Sequence, residues 1–227
     1  MGHNHEILKF PSTISVQIAY VNFSLLFLRD NLSGVDSLTS SADKIDAGGS
    51  FELTCTHSAM DSGLQVAWTK NGQPVTTGIS PDGNTKSKLS VSSATKDDNG
   101  KYRCTVTFGS LGTDFKEVTQ YVRLVEFTTP QYAISGDATH TITCLFYGDS
   151  LSATVWKFGA TTLADDSDYD IATSAPSDFS REDVLTINTI EAANEGSYQC
   201  SAQYVHGPTD VAKDIALTVL SKCRPSR

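Results

Sequence analysis

The chain has 227 residues, enough for one to two domains. Hydrophobic residues make up 39% and charged residues 19%, which excludes a disordered acidic tail and a low-complexity fibre. A net charge of −9 argues against nucleic acid as a partner, because neutralising phosphates needs a basic face, and five cysteines point to an oxidising compartment.

Residues 1–34 differ from the rest. From Phe10 to Leu28 there is no charge, with Lys9 before and Arg29 after, so the stretch has the outline of a secretory signal. Polar residues such as Ser12, Gln17 and Asn22 dilute it, and no small-residue cleavage site follows. It reads as a divergent signal peptide or an N-terminal extension, and it is too polar for a spanning helix. Asn22-Phe23-Ser24 and Asn31-Leu32-Ser33 make Asn22 and Asn31 candidate glycosylation sites. Glu6 stands where a myristoylation signal needs Ser or Thr, and His3 and His5 on a terminus are read as inert.

An internal repeat follows. Two alternating segments end in cysteine, Phe51-Glu52-Leu53-Thr54-Cys55 and His140-Thr141-Ile142-Thr143-Cys144. A tryptophan comes 13 residues after the first cysteine (Trp68) and 12 after its counterpart (Trp156). Next are the alternations Leu89-Ser90-Val91 and Leu185-Thr186-Ile187, and each half closes on a turn and a second cysteine, Asn99-Gly100-Lys101-Tyr102-Arg103-Cys104 and Glu195-Gly196-Ser197-Tyr198-Gln199-Cys200. The first cysteines lie 89 residues apart and the closing motifs 96 apart, so the second copy carries seven or eight extra residues between its tryptophan and Leu185.

Cys…Trp…Tyr-x-Cys, with glycine two before the tyrosine and given twice, resembles the immunoglobulin superfamily over about residues 35 to 221. The resemblance implies an all-β chain of two tandem immunoglobulin-like sandwiches, of an intermediate or constant-like set. Each would carry one inter-sheet disulfide, Cys55 with Cys104 and Cys144 with Cys200. It further implies that Trp68 and Trp156 pack on the bridges, and that Tyr102 and Tyr198 make corner bonds to backbone. Asn194 departs from the family's usual aspartate, and Thr154 stands where the first copy has Val66. The expected organisation is an extension over 1–34, a first domain over 35–127, a second over 128–221, and a tail or start of a further module over 222–227. Tyr121 to Val125 reads as the last strand of the first domain and Phe127 to Pro130 as the entry to the second, without a Gly/Ser linker, which predicts a semi-rigid, end-to-end pair.

Candidate sites follow from strand parity and from the tips. The outward residues of the strands carrying Trp68 and Cys104 are Thr69, Arg103, Thr105 and Thr107, a candidate partner surface. Phe108 and Leu111 flank a glycine-rich turn and could anchor a partner or fold back onto the core. Asp165, Asp166, Asp168, Asp170, Asp178, Glu182 and Asp183 crowd into the longer loop region of the second copy. Asp166, Asp168 and Asp170 imitate the start of a calcium loop, but Ile171 and Ser177 replace its glycine and glutamate, so the run reads as a solvated acidic edge. His140 takes an inward position, and Cys223 is left over for an intermolecular bridge, a free thiol or a partner in another module.

No nucleophile elbow, phosphate loop or zinc-spaced cluster is present, so no enzyme activity, cofactor or metal is expected. The expectation is an extracellular glycoprotein, secreted or displayed as an ectodomain, that binds a protein partner in cell adhesion or a receptor role. The alternatives are a soluble immune-type recognition or ligand-sequestering protein, and a structural matrix or filament subunit forming homo-oligomers. No transmembrane segment is evident, and neither is a C-terminal anchor.

Overall fold

In the computed structural model the described residues are 34–58, 64–109, 112–127, 132–205 and 210–222. Asn22, Asn31, Leu111 and Cys223 lie outside them. The described residues form seventeen strands and two short 3-10 turns. The first sandwich packs the sheet β1 (Val35–Ser40), β3 (Phe51–His57), β7 (Lys86–Val91), β6 (Ile79–Pro81) against a second sheet. That second sheet runs β2 (Lys44–Asp46), β9 (Thr113–Phe127), β8 (Gly100–Phe108), β4 (Leu64–Lys70), β5 (Gln73–Val75).

The second sandwich repeats this plan. One sheet is the end of β9, then β11 (Thr139–Tyr147), β15 (Ser180–Asn188) and β14 (Tyr169–Ser177). The other is β10 (Tyr132–Ile134), β17 (Asp210–Leu220), β16 (Gly196–Gln203), β12 (Val155–Phe158) and β13 (Thr161–Thr162). In both, the first strand is split, one piece antiparallel on one sheet and the other parallel on the opposite sheet. A short extra strand beside the tryptophan strand completes the plan.

Period-two alternation produces the cores. Phe51, Leu53 and Cys55 point inward on β3, and Ile142, Cys144 and Phe146 do so on β11. The bridges Cys55–Cys104 and Cys144–Cys200 join the sheets of each sandwich, closing loops of 49 and 56 residues. Trp68 and Trp156 are buried beside them. Tyr102 Oη donates to Asp98 O and Tyr198 Oη to Asn194 O, both at 3.0 Å, which closes the corner before each second cysteine. Asn194 performs the same capping task as Asp98: its Oδ1 accepts the Glu191 amide, as Asp98 Oδ2 accepts that of Thr95. A neutral amide suffices because the turn asks only for an acceptor.

The two sandwiches share a strand, and here the structure differs from the sequence reading. β9 does not stop at Val125. Its first part pairs with β8 from Thr113 to Gln120, and residues 124 to 127 pair with β11. Phe127 is therefore the last residue of β9, opposite Cys144, with its ring 6.4 Å from that of Trp156. Val125 is buried in the second core. One strand can serve both because the alternation Tyr121, Arg123 against Val122 suits the first sheet, while Val125 and Phe127 present apolar faces to the second.

The extra residues of the second copy lengthen a hairpin. β14 and β15 have nine residues each, whereas the matching β6 and β7 have three and six. The tip of the longer hairpin, Phe179, reaches back to the first sandwich, 6.0 Å ring to ring from Tyr121.

Candidate functional site

The outer face of β4, β8 and β9 in the first sandwich carries the residues singled out from the sequence. Antiparallel register lines them up in rows across the sheet: Gln65, Thr107 and Thr113; Ala67, Thr105 and Phe115; Thr69, Arg103 and Glu117. Arg103 Nε donates to Glu117 Oε1 at 2.8 Å, and the guanidinium carbon lies 4.0 Å from the centre of the Phe115 ring. Phe115 is 48% exposed, an aromatic ring with the arginine cation over it and Thr105 beside it in the same row. Phe115 was not among the sequence candidates. Counting back in twos from Glu117 along β9 would have reached it.

The expected tip residue Phe108 is half-buried and packs against the first core, because it shares a strand with inward Val106. Its counterpart Tyr204 is buried and donates to Tyr147 O at 2.5 Å. Burial pushes the Tyr204 phenol above its ordinary range. His140 is half-buried on β11, opposite Ile187.

The junction between the sandwiches is built of charge around one carboxylate. Asp149, almost fully buried, accepts Lys44 Nζ at 2.7 Å and Arg123 Nε at 3.1 Å. The Arg123 guanidinium also lies 4.3 Å over the Tyr204 ring. Burial alone would raise the Asp149 carboxyl, but hydrogen bonds from Lys44 and Arg123 outweigh it and hold the group below its ordinary 3.8. Lys96 adds a second contact, 2.7 Å from Glu126 and 5.1 Å above the Tyr147 ring. A cleft of about 480 Å³ runs alongside, between the β14–β15 tip and residues 148–151. Of its charged walls, Asp149 and Arg181 are already engaged in bonds of their own, and Asp178 lines it as well.

The acidic run is not uniformly solvated. Asp183 is fully buried, and it accepts Thr154 Oγ1 at 2.7 Å, Thr173 Oγ1 at 2.5 Å and Arg181 Nε at 2.9 Å. Arg181 also bonds Ser152 O and Thr154 Oγ1. This corrects the reading of the run as a solvated edge, and it accounts for Thr154 at the position of Val66: the hydroxyl serves the buried carboxylate. Asp183 occupies the register of Ser87, each opposite the first cysteine of its sandwich. In the first sandwich Trp68 Nε1 donates to Ser87 Oγ at 2.9 Å, whereas Trp156 Nε1 finds no partner. Further along, Asp166 Oδ1 closes a local turn by accepting the amides of Asp168 and Tyr169. Among the described residues no group of three or more His, Cys, Asp or Glu is arranged to hold a metal ion. Nor is any helix there long and apolar enough to cross a membrane.

The family model described as "Immunoglobulin domain" matches residues 36–107, the part of the first sandwich that contains both cysteines and Trp68. Residues 36–107 thus match an immunoglobulin domain, and both sandwiches have the immunoglobulin-like fold. The two sandwiches together are similar to a chain in the crystal structure of Dpr2 Ig1-Ig2 in complex with DIP-Theta Ig1-Ig3. That match is 19% identical with a TM-score of 0.55, and covers 83% of this chain and 64% of that one. A match to the N-terminal eight Ig domains of Down Syndrome Cell Adhesion Molecule is 17% identical with a TM-score of 0.43, covering 85% of this chain and 25% of that one. Among curated proteins, the Muscle M-line assembly protein unc-89 of Caenorhabditis elegans is 27% identical over 180 residues. Those residues are 72% of this chain, which spans only 2% of that protein's length. The second sandwich lies outside the family match and repeats the sheet order, bridge and tyrosine corner of the first.

Proposed function

We propose that this tandem Ig chain works by protein–protein recognition outside the cell, in an adhesion or receptor-type role, and that the outer face of β4, β8 and β9 makes the contact. The observation that carries the reading is the Arg103–Phe115 stack. Interfaces concentrate binding energy in aromatic and arginine residues, and this face offers one such pair, the arginine bonded to Glu117, beside Thr69, Thr105, Thr107 and Thr113. Two bridged cysteine pairs support an oxidising compartment. The domain pair divides between residues 123 and 124, where β9 passes from one sheet to the other. Catalysis has no support in this arrangement.

The test is binding by the full chain displayed at high density on beads, against cells and against itself. Arg103→Glu and Phe115→Ser should each abolish capture while leaving the melting temperature unchanged. Capture unaffected by both substitutions would defeat the reading.

A second reading is assembly into a structural array. Its support is the likeness to an M-line assembly protein, together with a junction that ties the two sandwiches to each other by ion pairs.

A further inference from the structure

We infer that β14 pairs with the β14 of a second copy, antiparallel about a two-fold axis at Ala172, so that the chain forms a weak, closed dimer. This is independent of the outer face of β4, β8 and β9. β14 stands at the edge of its sheet, with β15 on one side and no strand on the other among the described residues. Alternate residues of an antiparallel strand aim both backbone groups at one neighbour, and the residues between them aim away. Asp168 O accepts the Asn188 amide at 2.8 Å, so Asp170, Ala172 and Ser174 face β15 in the same way. Tyr169, Ile171 and Thr173 therefore turn their N–H and C=O groups outward.

The open stretch has defined ends. Tyr169 is closed by its own turn: its amide donates to Asp166 Oδ1 at 3.1 Å, and its carbonyl accepts the Asp166 amide at 2.8 Å. At the other end the register with β15 shifts between Ser174 and Ser177, and the irregularity there, which contains Pro176, breaks the ladder. Ile171 and Thr173 remain. The matching edge of the first sandwich is protected: β6 has three residues and ends in Pro81, and Asp82 beyond it is ion-paired with Lys88 at 3.4 Å. Short strands, prolines and charges are the usual means of keeping a sheet edge from pairing. β14 has nine residues, and from Ile171 to Ser177 it carries no charge.

A second copy fits this edge residue by residue. A net charge of −9 sets copies of the chain against each other, and an uncharged strand is where they can approach. Only an axis at Ala172 lets both open residues pair, Ile171 of each copy with Thr173 of the other. Ala172 then faces its own counterpart in the narrow, non-hydrogen-bonded position, where Cα atoms come within about 4.5 Å and a methyl side chain fits. Ile171 and Thr173, both β-branched, become cross-strand neighbours. Asp170 falls opposite Ser174 rather than opposite another carboxylate. The contact joins the same patch on both copies, so it closes at the dimer.

The test is sedimentation velocity of the full chain carrying Cys223→Ser, which removes any disulfide-linked species, together with amide hydrogen exchange. Weight-average mass should rise towards that of a dimer and not past it, with a midpoint on the order of 100 µM. Over the same range the amides of Ile171 and Thr173 should exchange more slowly, while that of Ala172, already facing β15, should not change. Ala172→Lys and Ala172→Glu each set like charges against each other at the axis and should each weaken association about tenfold or more. Mixing these two variants should restore a one-to-one pair, which also shows that both are folded. Phe115→Ser should leave association intact. A chain still monomeric at concentrations on the order of 1 mM, growth past a dimer, a dimer that leaves the Ile171 and Thr173 amides unprotected, or charge variants that fail to pair when mixed would each overturn the inference.

Discussion

Asp183→Ala should be the most damaging single substitution in the second sandwich. The carboxylate is fully buried and takes bonds from two threonine hydroxyls and the Arg181 guanidinium, itself mostly buried. Removing one partner of a buried ion pair costs about 3–5 kcal/mol, because the remaining charge keeps its desolvation penalty. A domain of this size is stable by about 5–15 kcal/mol, so its melting temperature should fall on the order of 20 °C. The first sandwich shows how the penalty can be avoided, since the same three register positions there hold Val66, Thr85 and Ser87. Thr154→Val, Arg181→Thr and Asp183→Ser made together should return stability to within about 1.5 kcal/mol of the parent, as whole-network replacements often do. The triple variant also offers Trp156 Nε1 the hydroxyl that Trp68 already has. Urea unfolding followed by circular dichroism reads both effects. A loss below about 1 kcal/mol in Asp183→Ala, or a triple variant as unstable as the single one, would refute the reasoning.

The junction should loosen in acid: because the folded Asp149 carboxyl titrates below 3.8, its contribution is present above that value and is lost as pH falls through the lower folded value. Small-angle scattering should show a fixed arrangement at pH 7 and a spread of arrangements near pH 3, and Asp149→Ala should show that spread at pH 7 already. Burial holds the phenols of Tyr102, Tyr198 and Tyr204 above the ordinary tyrosine range, so ultraviolet titration should leave these three un-ionised until alkaline unfolding. Replacing Cys144 and Cys200 together by alanine should cost the second sandwich about 4 kcal/mol, read as an earlier urea midpoint, if closing a loop of 56 residues stabilises as chain entropy requires.

What could be read from the sequence was local and repeated. Cysteine, tryptophan and Tyr-x-Cys recur at matched spacing, and the alternation around them gives the inward faces without knowledge of any partner. The junction was opaque for the opposite reason. Lys44, Arg123 and Asp149 are far apart in sequence, and each alone looks like an ordinary surface charge. Asp183 was misread because its acidic neighbours suggested solvent. Yet it lies two residues before inward Leu185, and the same period-two count places it in the core. Thr154 stood out as a departure, but its reason appears only once β15 lies beside it. Phe115 illustrates a third case: it shares the outward parity of Glu117 on β9, but only the pairing of β9 with β8 shows that it lies beside Arg103.

The shared strand β9 also governs how the molecule would carry load. In a tandem joined by a flexible linker, the first extension under tension is absorbed by the slack segment, which acts as an entropic spring. Here hydrogen bonding passes along one strand from β8 to β11 with no slack between. A pull on one sandwich therefore reaches the other undamped, with the bonds on either side of β9 loaded in series. The pair would act as a stiff strut, yielding where one sheet releases the strand rather than where the two domains meet.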